Sequence, residues 1–326
     1  FIMVDQEGGS VTRIRTKPNA PSAQSLGMTQ NPSLSEETGR ITGKILSLLG
    51  FNMNLAPVVD LSHPLTRDFI GTRSFGSNPF EVRNMSHRFA QGMEQSGILS
   101  TFKHFPGHGG IITDSHKKTP MKNESLQSLL QTDLVPFSHF SQANIPSAIM
   151  VAHISFPQID SSGLPATFSK TLVTDVLKNK MGYSGLILTD DIEMNGAKAF
   201  SSVGERAIRA FEAGNDMIMV AWTRRRQKQA LRAMLKAVKS GRIKTSQIER
   251  AVKKIIAFKL SRRHSIIKPN IKELNVQLKK EIKDLKATAN HVSFLNFERA
   301  TQSYSDLFQK INSKQKIIVF SADGLF

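Results

Sequence analysis

Cysteine is absent from the 326-residue sequence, which holds a single tryptophan and two tyrosines. Without thiols the chain cannot form disulfide bonds, a thiolate zinc site or a cysteine nucleophile. It also lacks an apolar run near the ~18 residues needed to cross a bilayer, so the sequence predicts no membrane-spanning helix. Its content of 39% hydrophobic and 21% charged residues is typical of a folded core and not of a disordered polyelectrolyte.

Acidic residues are scarce in one segment, and this scarcity explains the net charge of +18. Residues 1–223 contain 19 basic and 19 acidic side chains, whereas residues 224–286 contain 21 and 4. This segment favours an anionic partner, which makes a basic anionic-polymer-binding protein without catalysis the alternative from another functional class. Few aromatic residues lie there for stacking on bases, so we expect no specific nucleic-acid binding. A weak attraction of residues 224–286 to anionic polymers would decline steeply with salt.

Short apolar runs alternate with amphipathic stretches over the first two thirds of the chain. The runs are residues 1–4, 53–59, 98–102, 148–152, 186–188 and 216–220. Their continuous apolarity is typical of strands buried on both faces, as in a parallel sheet. The helical stretches between them are residues 36–49, 81–95, 125–143, 168–179 and 204–213. Strand alternating with helix predicts an α/β fold.

Polar and ionisable residues follow the predicted strands at their carboxyl ends. They are Asp5, Asp60, Lys103, His104, His153, Asp190 and Asp191. An open doubly wound sheet gathers such residues at one switch point, whereas a (β/α)8 TIM barrel gathers them from many strands. Five or six contributing strands favour the barrel. Six strands are two short of eight, and Phe1 lies inside a strand-like run, so we expect a barrel truncated at the N-terminus.

The C-terminal part is predicted to be helical and basic. After Pro269, Ile or Leu recurs at steps of three and four, at positions 271, 274, 278, 282 and 285. This spacing resembles a short coiled-coil seam. We therefore divide the chain into a barrel at residues 1–263, a basic helical linker at residues 264–315 and a candidate first strand of a further α/β domain at residues 316–326.

Three groups of residues could carry chemistry. Adjacent side chains on a strand point to opposite faces, so only Asp190 or Asp191 faces a barrel mouth, as a nucleophile, base or metal ligand. An N-cap or a loop salt bridge explains that pair equally well. In the second group, Asp114 and His116 can form a carboxylate–imidazole hydrogen bond that raises the basicity of the ring. A zinc site is the rival interpretation, although the spacing matches no standard zinc motif.

The third group combines carboxylates with fixed cationic donors. Asp5 and Glu7 are predicted to lie on the same side of a strand end, and Arg13 and Arg73 can supply guanidinium donors. Carboxylates beside such donors suit sugar hydroxyls, because each hydroxyl both donates and accepts a hydrogen bond. Taken singly, each residue is explained equally well by an ion pair between loops.

Seven motifs stand in order along the chain: DQEGG (5–9), NLAPVVDL (54–61), GTRSFG (71–76), KHFPGHG (103–109), DSH (114–116), MVAH (150–153) and LTDDIEMNGA (188–197). Over residues 1–222 they resemble the family 3 glycoside hydrolases, and most closely the β-N-acetylglucosaminidases, or β-hexosaminidases, of peptidoglycan recycling. The resemblance implies a (β/α)8 barrel. It also implies a retaining exo-enzyme that removes terminal N-acetylglucosamine from muropeptides through a covalent glycosyl-enzyme intermediate.

The resemblance also implies roles for individual residues. Asp190 would be the nucleophile, and His116, paired with Asp114, the general acid/base. The residues that would hold the sugar are Asp5, Arg13, Arg73, Lys103 and His104. It implies no cofactor, no metal ion, a small carbohydrate partner (GlcNAc–MurNAc fragments) and a cytoplasmic location, with secretion left open. An N-acetylglucosaminide phosphorylase and a broad β-glucosidase of the same fold remain the alternatives, although the β-glucosidase branch lacks the Asp-x-His loop.

Overall fold

The computed structural model describes residues 1–66, 69–111, 119–138, 146–200, 202–261 and 271–312. The strands are β1 (Met3–Val4), β2 (Gln6–Gly8), β3 (Val11–Thr12), β4 (Met53–Asn54), β5 (Leu99–Phe105), β6 (Ser147–Val151) and β7 (Leu186–Thr189). The helices are α1 (Ala23–Thr29), α2 (Pro32–Leu48), α3 (Pro79–Gln95), α4 (Leu126–Gln131), the π-helical α5 (Thr171–Lys180), α6 (Val203–Ala213), α7 (Arg224–Lys239), α8 (Thr245–Leu260) and α9 (Ile271–Asn312). None of these helices is both long and apolar enough to cross a membrane.

The main sheet is parallel and curled, which confirms the predicted α/β fold as part of a (β/α)8 barrel. Within the described residues it has five strands, in the order β1-β4-β5-β6-β7. Residues at the same level of the sheet pair across it, with Met3 opposite Met53 and Met53 opposite Leu99. Because all strands run in one direction, their carboxyl ends lie along a single edge, which is where the polar residues were predicted to gather.

The sixth predicted strand, residues 216–220, does not form as a strand. The structure has one isolated bridge there, between Leu188 and Met217. The N–H of Met219 donates to the hydroxyl of Thr189 (2.9 Å), where a regular ladder would use a backbone carbonyl. The run still lies beside β7, because the N–H of Thr189 donates to the carbonyl of Met217 (3.1 Å).

Both faces of the sheet are buried. One face packs under α2 and α3 in the largest apolar cluster, which includes Leu46, Phe89, Phe102, Ile149 and Ile187. The other face packs against Ile255 and Phe258 of α8, and its buried residues are Met53, Leu55, Leu99, Ala148, Met150, Leu186 and Leu188. Apolar burial on two sides explains why the strand sequences are continuously hydrophobic.

Two asparagine–proline pairs begin the helices that cover the first face. The side chain of Asn31 accepts the N–H of Ser33 (3.1 Å) at the start of α2, and Asn78 accepts the N–H of Phe80 (3.0 Å) at the start of α3. Proline suits the first helical position because its missing N–H would have no partner there. These local signals fix where each helix begins after its strand.

The predicted helix at residues 125–143 is wrong beyond its first turns. Helix α4 ends at Gln131, and a 3₁₀ turn follows at Val135–Phe137. Pro136 has no N–H to continue a helix, and the buried side chain of Asp133 instead receives Lys122 (2.9 Å). Residues 139–143 of that prediction lie outside the described residues.

The seam predicted in the C-terminal segment lies on α9, and it packs against the α/β body of the chain. Leu278, Ile282 and Leu285 contact Ile41 and Ile45 of α2. Further along α9, the amide of Asn296 donates to the carbonyl of Ser25 (3.0 Å). The division at residue 263 and the candidate strand at residues 316–326 stay predictions, since residues 313–326 lie outside the described part of the chain.

Candidate active site

Four charged side chains form an alternating chain at the carboxyl edge of the sheet. Asp5 follows β1, and its Oδ1 lies 2.8 Å from Nζ of Lys103 on β5. The same Nζ lies 2.7 Å from Oε1 of Glu7 on β2. Glu7 in turn accepts two hydrogen bonds from Arg73, at 2.8 Å from Nε and 2.9 Å from Nη2. Asp5 and Glu7 therefore do lie on the same side, as predicted, and the four formal charges cancel.

Burial strengthens the electrostatic interactions within this chain of charges. The side chains of Lys103 and Glu7 are only 3% and 5% exposed, whereas that of Asp5 is 36% exposed. Burial alone would raise the pKa of Glu7, but Lys103 and Arg73 outweigh it and lower that pKa to about 2. Burial likewise opposes the charge on Lys103, but Glu7 and Asp5 raise its pKa above the ordinary value. Glu7 and Lys103 are therefore both charged at neutral pH.

Asp60 anchors the segment that follows β5. Its Oδ2 lies 2.6 Å from Nδ1 of His104, and its Oδ1 accepts the backbone N–H of His108 (2.7 Å). Because a carboxylate faces Nδ1, the proton of a neutral His104 ring resides on Nδ1, which leaves Nε2 as an acceptor. Asp60 is fully buried, which would raise its pKa, but His104 and the His108 N–H lower it to about 2.

Asp190 and Asp191 follow β7 and make different contacts. Oδ1 of Asp191 accepts the N–H groups of Glu193 (3.1 Å) and Ala221 (3.2 Å), which closes the turn after the strand. Asp190 accepts the N–H of Asp191 (2.7 Å) through Oδ1. Burial would raise the pKa of Asp190, but His153, His104, that N–H and Lys103 together hold it below its ordinary value. Asp190 is thus an ionised carboxylate that interacts with Lys103 of the charged chain.

His153 supports the turn that carries Asp190. Its Nε2 lies 3.0 Å from the carbonyl oxygen of Asp191, and its Nδ1 lies 2.8 Å from the hydroxyl of Thr167. Burial lowers the pKa of His153, so the ring is neutral and its Nε2–H donates to the carbonyl. The imidazole therefore fixes the backbone next to Asp190 without adding a charge.

The loop that contains Asp114 and His116 is held at both flanks. Residues 112–118, including these two predicted catalytic residues, lie outside the described residues. On the entry side, Gly107 and Gly109 lie against the side chain of Asp133. On the exit side, Lys122 is buried and donates to Oδ2 of the same Asp133 (2.9 Å). One carboxylate thus contacts both flanks of the loop.

The structure brings together most of the residues that were predicted from the sequence. Asp5, Arg73, Lys103 and His104 lie in or beside the charged chain, and Asp190 interacts electrostatically with Lys103 and His104. Arg13 differs. It lies just after β3 with its side chain exposed, and within the described residues only its backbone N–H is held, by Gln6 (2.9 Å). The prediction that Arg13 belongs to the site is therefore not supported by contacts of its guanidinium.

Three residues have clear roles in the geometry that the sequence analysis did not assign: Glu7, Asp60 and His153. Their position at or beside strand ends was noted from the sequence, but it gave no partner for any of them. Among the described residues, no three His, Asp or Glu side chains are grouped so that they could hold a metal ion. Ion pairing and hydrogen bonding account for the carboxylates and imidazoles just described.

Comparisons with known proteins agree on one family. Residues 1–258 match the family model described as "Glycosyl hydrolase family 3 N terminal domain". The β-hexosaminidase of Actinobacillus pleuropneumoniae serotype 5b (strain L20) is 36% identical over 226 residues, which are 68% of this chain and 64% of that protein. β-Hexosaminidase A of Pseudoalteromonas piscicida is 31% identical over 280 residues, covering 79% of this chain and 47% of that one. The chain thus spans about half to two thirds of the length of these curated relatives.

Among solved structures, a glycoside hydrolase family 3 β-N-acetylglucosaminidase from Paenibacillus sp. str. FPU-7 superposes with a TM-score of 0.81. It is 34% identical, and the match covers 88% of this chain and 56% of that chain. The structural match covers more of the chain than the family model does, since 88% of the chain is more than residues 1–258.

Proposed function

Since the chain belongs to glycosyl hydrolase family 3, we propose that it is a retaining β-N-acetylhexosaminidase acting on N-acetylglucosaminides. The proposal is supported by relatives whose names are β-hexosaminidase and by a structural neighbour whose name is β-N-acetylglucosaminidase. We extend it to an exo-enzyme acting on GlcNAc–MurNAc fragments of peptidoglycan in the cytoplasm, as the sequence motifs imply.

The observation that carries the proposal is the neutral chain Asp5–Lys103–Glu7–Arg73 beside the ionised Asp190. A sugar is uncharged, and each hydroxyl needs both an acceptor and a donor. Asp5 is the most exposed member and can accept, while the cationic side chains can donate. A site with a large net charge would suit an ionic substrate instead.

In the proposed first step, a carboxylate oxygen of Asp190 attacks the anomeric carbon. The bond from that carbon to the leaving-group oxygen breaks, and His116 donates a proton to this oxygen. The product is a glycosyl ester on Asp190 and a free alcohol. The lowered pKa of Asp190 keeps its carboxylate available as a nucleophile at neutral pH.

In the second step, His116 takes a proton from water while the water oxygen attacks the anomeric carbon. The ester bond to Asp190 breaks, and N-acetylglucosamine leaves with retained configuration. A neutral imidazole suits this role beside a carboxylate nucleophile, because it adds no second negative charge. Asp114 would fix the ring tautomer of His116 by a hydrogen bond.

An aryl N-acetyl-β-glucosaminide labelled with fluorine at C5 tests nucleophile and stereochemistry together. We expect trapped enzyme in which the labelled peptide contains Asp190, and ordinary turnover lost in Asp190→Ala and nearly lost in His116→Ala. Release of free N-acetylglucosamine with and without inorganic phosphate separates hydrolysis from phosphorolysis. A sugar 1-phosphate product would reject the hydrolase, and a wild-type enzyme that binds no N-acetylglucosaminide would reject the whole proposal.

The basic segment supports a separate, weaker interaction. On α7 the exposed side chains are basic at seven positions: Arg224, Arg225, Arg226, Lys228, Arg232, Lys236 and Lys239. We expect this face to attract anionic polymers through long-range electrostatics that salt screens. Retention on an anionic resin should disappear as ionic strength rises, and should weaken in Arg224→Glu/Arg225→Glu/Lys228→Glu at low salt. Retention that survives high salt would contradict this interaction.

A further inference from the structure

Glu7 lies at the centre of the charged chain, and it is the more deeply buried of the two carboxylates in it. It belongs to β2, a short strand paired with β3, and its side chain is 5% exposed. Its two oxygens contact Lys103 of β5 and Arg73 of the turn before α3. These partners are 96 and 66 residues away along the chain, so Glu7 joins three separate segments at the edge of the sheet.

A count of donors shows what Glu7 leaves available. Arg73 has five N–H groups, and in the described residues three are engaged: Nε and one on Nη2 by Glu7, and one on Nη1 by the carbonyl of Phe69 (3.0 Å). Lys103 has three, of which Asp5 and Glu7 take two. Two N–H groups on Arg73 and one on Lys103 therefore remain for a bound molecule, each in a direction fixed by the others.

The charge of Glu7 is as important as its position. Without it, Lys103 and Arg73 would be two neighbouring cations that keep only the weaker, outlying interactions with Asp5, Asp60 and Asp190. Like charges at this range repel strongly where water is excluded. Lys103, with its four rotatable methylene groups, would then turn toward Asp5 or toward Asp190, with which it already interacts. Glu7 prevents this because its two carboxylate oxygens hold both cations at once.

The geometry points to Glu7 as the positioning residue of the sugar site, which orients Arg73 and Lys103 for a neutral carbohydrate without touching it. The inference rests on the proposed function for the identity of the ligand. The arrangement of the side chains does not depend on the proposed function, because it can be measured in the free protein. Glu7 is therefore distinguished from a merely structural ion pair by its effect on ligand binding.

The test compares Glu7→Gln with Glu205→Gln. Glu205 is a matched control, because it also bridges two cations, Arg209 and Arg242, and also has a pKa lowered to about 2, yet it lies on α6 outside the site. The melting temperature of each variant reports on its fold, and four quantities report on the site: the inhibition constant of N-acetylglucosamine, the NMR signal of the Arg73 Nε–H in selectively labelled protein, kcat/KM and the acid limb of its pH profile.

For Glu7→Gln we expect the Nε–H signal of Arg73 to shift and to exchange rapidly with water. We also expect the inhibition constant to rise about tenfold or more, the factor for one charge-assisted hydrogen bond. A displaced cation also affects the reaction, so kcat/KM should fall about 10²-fold. The acid limb of its pH profile should move to lower pH, because the loss of a negative charge stabilises the ionised form of Asp190. Glu205→Gln should leave all four unchanged.

A Glu7→Gln protein with wild-type sugar affinity and an unmoved acid limb overturns the inference. If Glu7→Gln does not fold, Glu7→Asp provides the same test, since it keeps the charge but withdraws the carboxylate by one methylene. We expect Glu7→Asp to fold, with weakened sugar binding and an altered Arg73 signal, and wild-type values for both overturn the inference. Failure of the proposed function is recognised separately: wild type then binds no N-acetylglucosamine, although its Arg73 signal is protected.

Discussion

The carboxylate of Asp60 serves two residues of one segment, with Oδ2 at 2.6 Å from Nδ1 of His104 and Oδ1 at 2.7 Å from the N–H of His108. It thereby fixes both a ring and the backbone four residues later. The segment Lys103–His108 also contains Lys103, one of the two cations of the proposed sugar site, and leads into the loop with Asp114 and His116. Asp60 is thus the link between the strand edge and that loop.

We predict that Asp60→Asn lowers kcat/KM about 10- to 100-fold, the usual cost of removing a partner that orients a functional histidine. The amide keeps the shape of the side chain but lacks the charge that selects the Nδ1–H tautomer of His104. Steady-state kinetics on an aryl N-acetylglucosaminide and the ¹⁵N shifts of the His104 ring measure the effect. Asp160→Asn is the control, since that carboxylate also accepts a hydroxyl, from Ser169, and an N–H, from Ser162, in an exposed turn. Equal losses in both variants would contradict a specific role for Asp60.

The buried carboxylates also predict how stability depends on pH. The pKa values of Glu7 and Asp60 are lowered to about 2, from 4.5 and 3.8, because Lys103 and Arg73 stabilise the Glu7 carboxylate and the hydrogen bonds of His104 and the His108 N–H stabilise that of Asp60 against burial. A carboxyl with a lower pKa in the folded chain stabilises the fold above its ordinary pKa, and this contribution is lost as pH falls toward the folded value. We therefore expect these two carboxyls to lower the urea midpoint steeply between about pH 4.5 and 2, whereas the lowered pKa values of His108 and His153 begin to lower it already below about pH 6.5.

Glu7→Gln provides the comparison for that pH dependence. It should be less stable than wild type at pH 6, because Lys103 and Arg73 lose their shared partner. Its further loss of stability between pH 4.5 and 2 should be smaller, since one of the two titrating groups is gone. Parallel curves for the two proteins would show that Glu7 does not contribute to acid unfolding.

The sheet was predictable because its strands are buried on both faces, which leaves a continuous apolar run in the sequence. Where hydrogen bonding rather than burial determines the secondary structure, the prediction from the sequence was wrong. Residues 216–220 are apolar enough for a strand, but the Thr189 hydroxyl interrupts the ladder. Residues 125–143 have a helical pattern, but α4 ends at Gln131, Asp133 turns inward to Lys122, and Pro136 has no N–H for a longer helix.

The site was predictable to the extent that strand ends share an edge. Asp5, Lys103 and Asp190 were found in this way, and the motifs supplied Arg73. The pairing of Glu7 with two cations could not be derived, because spacing along the chain does not reveal which of several charged residues meet across 66 or 96 positions. Arg13 stays a prediction: it follows the motif at a plausible distance, and its side chain is exposed just after β3.

For the proposed nucleophile, we predict that Asp190→Ala lowers kcat by more than about 10⁴-fold, the scale seen when a covalent nucleophile is removed. The variant should still bind N-acetylglucosamine, because the chain from Asp5 to Arg73 is intact. Calorimetric titration with the sugar and turnover of an aryl N-acetylglucosaminide measure the two properties separately. Asp175→Ala on α5 is the control for an aspartate with an exposed side chain. Substantial turnover by Asp190→Ala would assign the nucleophile elsewhere.

Gly107 and Gly110 form a matched pair that tests the contact between Asp133 and the entry flank of the loop. Both have positive φ, +130° and +76°, so alanine strains the backbone at either position. A Cβ at Gly107 would also lie 2.5 Å from Cβ of Asp133, whereas at Gly110 it meets nothing within 4 Å. We predict that Gly107→Ala lowers the free energy of unfolding by about 1–3 kcal/mol more than Gly110→Ala, the cost of forcing extra volume into a packed site. Because Asp133 also accepts a hydrogen bond from Lys122 beyond the loop, Gly107→Ala should lower kcat as well. Equal effects of the two substitutions on the free energy of unfolding and on kcat would show that Asp133 does not hold the two flanks of the loop together.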